Sequence, residues 1–591
     1  MPPPFYRAGV RPALASARSW TCASCRLTTT RSRTTAASRA AADEKPYYVT
    51  TPIFYVNAAP HVGHLSTMVL ADIIKRWQLL EGKKAVLSTG TDEHGLKIQH
   101  ASAKAGSEPL PFCDKGADVF KNLAAKGLIS NEHFVRTTDQ AHKDAVQYAW
   151  HLLKARGHIY SSKHEGWYSV SDETYYPASG VHLIVEPATG RKIMASMETG
   201  KEVEWTTEIN YHFRLSSFRD QLLAFYRENP GWIIPQFRMD DVVHAVSSGL
   251  EDLSISRPTS RLTWGIPVPD DGSQTVYVWL DALLNYVTKI GYPWPPGQVE
   301  PSGWPADCHV IGKDITRFHC IYWPAFLMAL SLPLPKRILT TAHWTMNSQK
   351  MSKSVGNVVN PFFALDRFGA DALRYYLAHD GGITQDANYS NYYVVERYRK
   401  GLQSGLGNLA SRIVKGKGWN VRRAVASSKE NFPERSTEKQ AKARAHFDLL
   451  TRLPGDVQRK LRDLDVSGGL KTIMEVVYET NRFLQDAAPW SHVPKAGPPA
   501  AKQAIAAVPE QHRPHVDRTI FICAETLRIA AILLQPYMPS KAAELLDMLG
   551  VDTEKRSFEY AEVCKDFEYG ISKVDLKKAV LFPPMGIDEL D

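Results

Sequence analysis

KPYYVTTPIFYV, residues 45–56, is the stretch from which the fold can be read. β-Branched and aromatic residues dominate it, and it ends at the turn Asn57-Ala58-Ala59-Pro60, so it reads as a strand. Past the turn, Leu65, Val69, Ile73 and Trp77 recur every four residues on one face of a helix, and Gly82 suits its C-terminal cap. Residues 84–89, KAVLST, read as the next strand. Strand, helix, strand opens a parallel α/β sheet, and α/β is the expected fold class.

The helix begins with His61-Val62-Gly63-His64. A helix N-terminus exposes unpaired N–H groups and a positive potential, which attract phosphate. Gly63 lets a nucleotide approach the backbone, and the two imidazoles can donate to phosphate oxygens. A surface histidine pair, or half of a metal site, fits four residues equally well. Far downstream stands Lys350-Met351-Ser352-Lys353-Ser354, followed by Val355-Gly356-Asn357. Two lysines among small hydroxyl residues suit a mobile clamp that neutralises a leaving pyrophosphate. The bland alternative is a solvated basic loop.

Between these motifs, residues 161–240 are mixed and locally polar, with Glu165-Gly166-Trp167-Tyr168 and Asn210-Tyr211-His212-Phe213. They read as an insertion between two halves of the sheet. Strand-like segments return at Trp264-Gly265-Ile266-Pro267 and Thr275-Val276-Tyr277-Val278-Trp279-Leu280. Beyond 364 the pattern turns helical, at 364–379, 392–414 and 516–549, with connections expected at 418–440 and 494–515. The expected division is a leader at 1–42, a first half of the α/β domain at 43–160, the insertion at 161–240, a second half at 241–363, and a helical domain at 364–591.

The 591 residues suit two or three domains, and 44% hydrophobic with 23% charged residues is ordinary for a globular chain. No apolar run is long enough to span a bilayer, so no membrane partner is expected. The net charge of +9 is misleading. Residues 1–42 hold seven arginines, no lysine and no acid; without them the charge falls to +2. RNA binding must therefore rest on local sites. An arginine-, serine- and alanine-rich, acid-free leader has the composition of a mitochondrial transit peptide, and the mitochondrial matrix is the expected compartment. Of the seven cysteines, Cys22 and Cys25 form a CxxC inside that leader with no second pair, which falls short of a zinc site. The other five, Cys113, Cys308, Cys320, Cys523 and Cys564, have no paired spacing and suit a reducing compartment.

The histidine motif early and the lysine motif late, with 285 residues separating them, resemble the signature pair of class I aminoacyl-tRNA synthetases. Thr91-Asp92-Glu93-His94-Gly95, Trp264-Gly265-Ile266-Pro267, Tyr277-Val278-Trp279-Leu280-Asp281-Ala282, Ile311-Gly312-Lys313-Asp314-Ile315, Phe318-His319, Trp323-Pro324, Asn408-Leu409-Ala410-Ser411-Arg412 and Leu581-Phe582-Pro583-Pro584 resemble the methionyl branch in order and spacing. The resemblance implies a Rossmann-type catalytic domain with a connective insertion, followed by an α-helical anticodon-binding domain. It implies that ATP, with Mg²⁺, meets His61, Gly63, His64, Gly312, Lys313, Asp314, Lys350, Met351, Ser352, Lys353 and Ser354. Of these, His61, His64, Lys350 and Lys353 are the expected catalytic groups. Asp92 is expected to bind the methionine ammonium, in a pocket formed by Ile53, Tyr55, Trp279, Ala282, Leu283, Tyr286, Ile315, His319 and Trp323. Aromatic walls suit a polarizable thioether. Asn408, Arg412 and Trp490 are expected to read the anticodon of tRNA(Met) by hydrogen bonding and stacking.

One departure stands out. Many methionyl enzymes carry CxxC pairs in the insertion, whereas here the stretch is Tyr168-Ser169-Val170-Ser171-Asp172-Glu173. Without thiolate ligands, neither structural zinc nor any other protein-held metal is expected, and aromatic packing must hold the insertion. A monomer is expected, since no appended module follows the helical domain. Two other readings compete. A cysteinyl, leucyl or valyl synthetase is disfavoured by the missing cysteines and the short insertion. A non-catalytic RNA-binding relative is disfavoured by intact His61, His64, Lys350 and Lys353.

Overall fold

The computed structural model describes residues 45–185, 190–346, 349–351, 358–428, 438–493 and 508–585. The expected leader, and Ser352, Lys353 and Ser354, lie outside the described residues. Six strands, β1 (Tyr47–Tyr55), β2 (Ala85–Asp92), β3 (His133–Arg136), β4 (Ile233–Ile234), β5 (Cys308–Gly312) and β6 (Ile338–Thr341), form one sheet in the order β3-β2-β1-β5-β6-β4. Every pairing in it is parallel. The strand order reverses between β1 and β5. In open α/β sheets ligands bind in the crevice that such a reversal leaves at the carboxyl ends of the strands. Here that end of β1 leads into the histidine motif, β2 ends at Asp92, and β5 ends at Gly312.

Helix α1 (Val62–Leu80) buries Val62, Leu65, Met68, Val69, Ile73 and Trp77 in the core. Its four-residue stripe is the face that the sequence pattern marks. The inserted segment is built on a long antiparallel pair, Ile159–Ser169 with Glu204–Phe213, flanked by Thr174–Tyr176 and Leu253–Ser254. Strand β4 then pairs with Ile338 and Leu339, so the chain is back in the main sheet before residue 240.

One expectation needs correction. Thr275–Leu280 reads as continuous strand, yet pairing stops at Val276 and Val278–Leu283 is helical. A short apolar run does not reveal its own period. Asp281 within this helix faces two buried imidazoles, those of His94 and His142.

The C-terminal region packs α2 (Ala370–Asp380), α3 (Glu438–Arg462), α4 (Val466–Ala487) and α5 (Arg513–Leu534). The segment 364–379 is broken at Gly369, whose φ of +78° suits a residue without Cβ. Nearly every residue of α5 from Val516 onward is buried, which marks it as the centre of the bundle. Its buried Arg528 forms a two-pronged pair with Glu525, and Tyr569 and the Cys564 backbone donate to the same carboxylate. Buried Arg374 on α2 ties the two regions together. It donates to Asp72 of α1 at 2.7 Å, to the carbonyls of Pro536 and Tyr537, and to that of Gly127. Satisfying all these acceptors offsets the cost of burying the guanidinium. Among the described residues no helix is long and apolar enough to cross a membrane.

Candidate functional site

A cleft of about 960 Å³ opens at the carboxyl ends of β1, β2 and β5. At one end stands the start of α1. His61 is its N-cap: the Gly63 N–H donates to His61 Nδ1, and the His61 N–H donates to His64 Nδ1, both at 3.1 Å. The rings stack with centroids 3.8 Å apart. Because both Nδ1 atoms accept, each neutral ring carries its proton on Nε2, the tautomer that donates away from the cap. A Cβ on Gly63 would lie 2.9 Å from the His61 ring, so this glycine makes room for its neighbour's cap as well as for a ligand.

Asp92 occupies another wall. Register places it beside Tyr55, and it is 4% exposed. Its Oδ1 and the Tyr55 hydroxyl are buried without hydrogen-bond partners. Burial raises the Asp92 carboxyl well above the ordinary carboxylate range; the Asp281 and Glu173 carboxylates add to the rise, while Lys97 opposes it. The carboxylate accepts a backbone hydrogen bond from His94, and its buried Oδ1, left without a partner beside the cavity, is prepared for a cation.

The turn carrying Asp92 is braced on both sides. Glu93 receives two bonds from Arg136, at 2.7 and 2.8 Å, and one from Thr91, while its carbonyl accepts from Trp264. His94 Nδ1 and His142 Nε2 each lie 2.7 Å from Asp281. Burial pushes the Asp281 carboxyl up, but the two imidazoles outweigh it and hold it at about 2.

The remaining wall is apolar and aromatic. Trp279 stacks on Phe318 with centroids 3.6 Å apart, and Lys97 Nζ lies 4.4 Å from the Tyr55 ring centre. Tyr286 Oη lies 2.6 Å from His319 Nε2, and His319 Nδ1 lies 2.9 Å from the Ile315 carbonyl. A carbonyl only accepts, so His319 donates through Nδ1 and accepts the Tyr286 hydroxyl through Nε2. Burial pushes the His319 pKa down to about 4, and the ring is neutral at physiological pH.

Of the expected residues, Ile53, Tyr55, His61, Gly63, His64, Asp92, Trp279, Ala282, Leu283, Tyr286, Gly312, Asp314, Ile315, His319 and Met351 all line this one cleft. Trp323 stands behind it, fully buried 5.8 Å from Tyr286, with its indole N–H toward His309. Lys313 pairs with Asp386 at 2.7 Å. Lys350 pairs through its backbone with Thr345, in a short strand next to the cleft-lining Trp344.

Sequence reasoning passed over Lys97, Asn285 and Phe318 as cleft residues, and Asp281, His142 and Glu173 as their supports. Phe318, Asp281 and Glu173 stand inside quoted stretches, and Lys97 and Asn285 lie within four residues of one, which was the available signal; His142 is brought in by its pairing with Asp281 across the fold.

The insertion is held without thiolates. Arg257, 2% exposed, sits 4.8–4.9 Å from the ring centres of Tyr168, Tyr175 and Tyr277. Asp172 accepts from Tyr176, Thr199 and Lys201.

In the helical region, Asn408 and Arg412 lie one turn apart on the helix Asn408–Val414. The Arg412 guanidinium lies 4.8 Å from the Trp490 ring centre, and Trp490 is 38% exposed. An exposed indole backed by a guanidinium can stack on an unpaired base.

Residues 47–414 match the family model described as tRNA synthetases class I (M). A Neurospora crassa protein named probable methionine--tRNA ligase, mitochondrial, is 51% identical, over 97% of this chain and 92% of its own. The human methionine--tRNA ligase, mitochondrial, is 41% identical, over 86% of this chain and 85% of its own. Mycobacterium tuberculosis methionyl-tRNA synthetase, solved in complex with methionyl-adenylate, superimposes with a TM-score of 0.80 at 36% identity, covering 91% of this chain and all of that one.

Proposed function

The chain belongs to the methionyl branch of the class I tRNA synthetases, and from that premise we propose that its cleft joins methionine to ATP and passes the methionyl group to the 3′-terminal adenosine of tRNA(Met). The observation that carries this reading is the shared cavity: a buried carboxylate with one unpaired oxygen and an aromatic pocket open into the same space as a helix N-terminus bearing two imidazoles.

Asp92 receives the methionine ammonium, and the thioether lies against Tyr286, His319 and Trp279. A methionine carboxylate oxygen attacks the α-phosphorus of ATP, the bond from that phosphorus to the bridging oxygen breaks, and pyrophosphate leaves. Charge grows on phosphate oxygens in the transition state. His61 and His64 meet it with their Nε2–H donors, and Lys350 and Lys353 neutralise the departing pyrophosphate. Mg²⁺ carried in with ATP would supply further charge neutralisation. Positioning and electrostatics carry the rate, because little proton transfer is required. In the second step the 2′-hydroxyl of the terminal adenosine attacks the adenylate carbonyl and AMP departs.

The curated relatives are named mitochondrial. With the acid-free basic leader, this supports placing the chain in the mitochondrial matrix.

Amino-acid-dependent pyrophosphate exchange, on protein lacking residues 1–42, tests the reading. Methionine alone is expected to support exchange; exchange driven only by leucine or cysteine, or none at all, overturns it. In the helical region, Trp490→Ala is expected to raise the tRNA KM about 10-fold, in keeping with the loss of one stacked base. Exchange should be unchanged. An equal fall in both assays would make Trp490 a folding residue.

A further inference from the structure

The cysteine-free turn in the insertion ends at Glu173, whose side chain reaches out of the insertion. Its φ is +54°, a left-handed conformation that a side chain bearing a Cβ adopts only where its surroundings hold it. It is 2% exposed. Its Oε1 accepts the Lys97 backbone N–H at 2.9 Å, at the start of the helix Leu96–Lys104. That helix begins directly after the turn Asp92-Glu93-His94-Gly95, and its N-cap, Gly95, supplies no side chain of its own. A Cβ on Gly95 would lie 2.8 Å from Glu173 Oε1, so the glycine is the space into which the carboxylate fits.

We infer that Glu173 is a positioning residue for the amino-acid end of the cleft. Reaching from the insertion, it caps the helix behind Asp92, fixes the turn that carries that carboxylate, and makes correct docking of the insertion a condition of ammonium recognition. A carboxylate at a helix N-terminus is favourably placed. The same charge lies close enough to Asp92 to raise its pKa, alongside burial and Asp281. The charged and titratable groups facing Asp92 are Asp281 from the helix Val278–Leu283, Glu173 from the insertion, Lys97 from the capped helix and Tyr55 from β1. This inference rests on Asp92 receiving the methionine ammonium.

Two variants separate the cap from the charge. Glu173→Gln keeps an oxygen that accepts the Lys97 N–H but removes the negative charge. Its kcat/KM for methionine in pyrophosphate exchange is expected to match the parent at high pH, while the ascending limb of the pH profile moves toward acid, because one of the charges that raise the Asp92 pKa is gone. Glu173→Ala loses the cap as well. Its methionine KM is expected to rise about 10-fold while the ATP KM holds. Circular dichroism confirms that each variant is folded. An ascending limb that stays in place or moves to higher pH in Glu173→Gln, or a Glu173→Ala variant that loses ATP and methionine binding together, overturns the inference. Asp92→Asn serves as the control. If it leaves the methionine KM unchanged, the ammonium reading has failed; if it abolishes methionine use while both Glu173 variants behave as the parent, only the positioning role has failed.

Discussion

Asp92→Asn is expected to raise the KM for methionine by at least about 100-fold in pyrophosphate exchange, with the ATP KM within a few-fold of the parent. The amide removes one partner of a desolvated charge pair and leaves the substrate ammonium buried without a counter-charge, a loss of roughly 2–5 kcal/mol. The pH profile follows the same logic. The free Asp92 carboxyl titrates well above the ordinary range because it is buried beside Asp281 and Glu173. Below that pKa it is protonated and gives an incoming ammonium no charge to pair with. Methionine kcat/KM should therefore climb as pH rises through it, and methionine binding should release a proton, read by calorimetry in buffers of different ionisation enthalpy. The asparagine variant should lose the climb. Stability should move the opposite way. A carboxyl whose folded pKa is raised costs stability once pH exceeds its unfolded pKa, so Asp92→Asn should melt no lower than the parent at neutral pH. A variant that unfolds early, or keeps its methionine KM, would refute this account.

His64→Ala is the second large effect expected. Removing one donor aimed at developing charge typically lowers kcat by about 10²- to 10³-fold. Here the loss is compounded, because His64 Nδ1 also accepts the His61 backbone N–H and stacks on the His61 ring. The exchange kcat should fall by that amount while methionine binding, measured without ATP, is retained. Loss of methionine affinity in the same proportion would mean that the change had disturbed the cleft floor instead of the phosphate end.

Much of this was open to reading from the chain. The four-residue stripe Leu65, Val69, Ile73, Trp77 marks the buried face of α1, and the turn at Asn57–Pro60 marks where the helix starts. Short motifs identified the residues that line the cleft, because groups bound to a common ligand sit in compact local patterns. Thr275–Leu280 reads as strand but turns helical from Val278 for a physical reason: six mostly apolar residues carry no period of their own, and Asp281 in that helix meets His94 and His142 from other parts of the chain. Lys313 shows the same limit, since its partner Asp386 is far along the chain.

What the sequence by itself determined was the opening strand–helix–strand order, the buried face of α1, and most of the residues that come to line one cleft. These follow from side-chain period and from motifs a few residues long. The tertiary structure alone decided the environment of each group. It made Asp92 a buried carboxylate with an unpaired oxygen, held His319 neutral, and brought Glu173 out of the insertion to cap the helix beside the site. Desolvation and charge pairing depend on what packs around an atom in three dimensions, and those neighbours lie tens to hundreds of residues away along the chain.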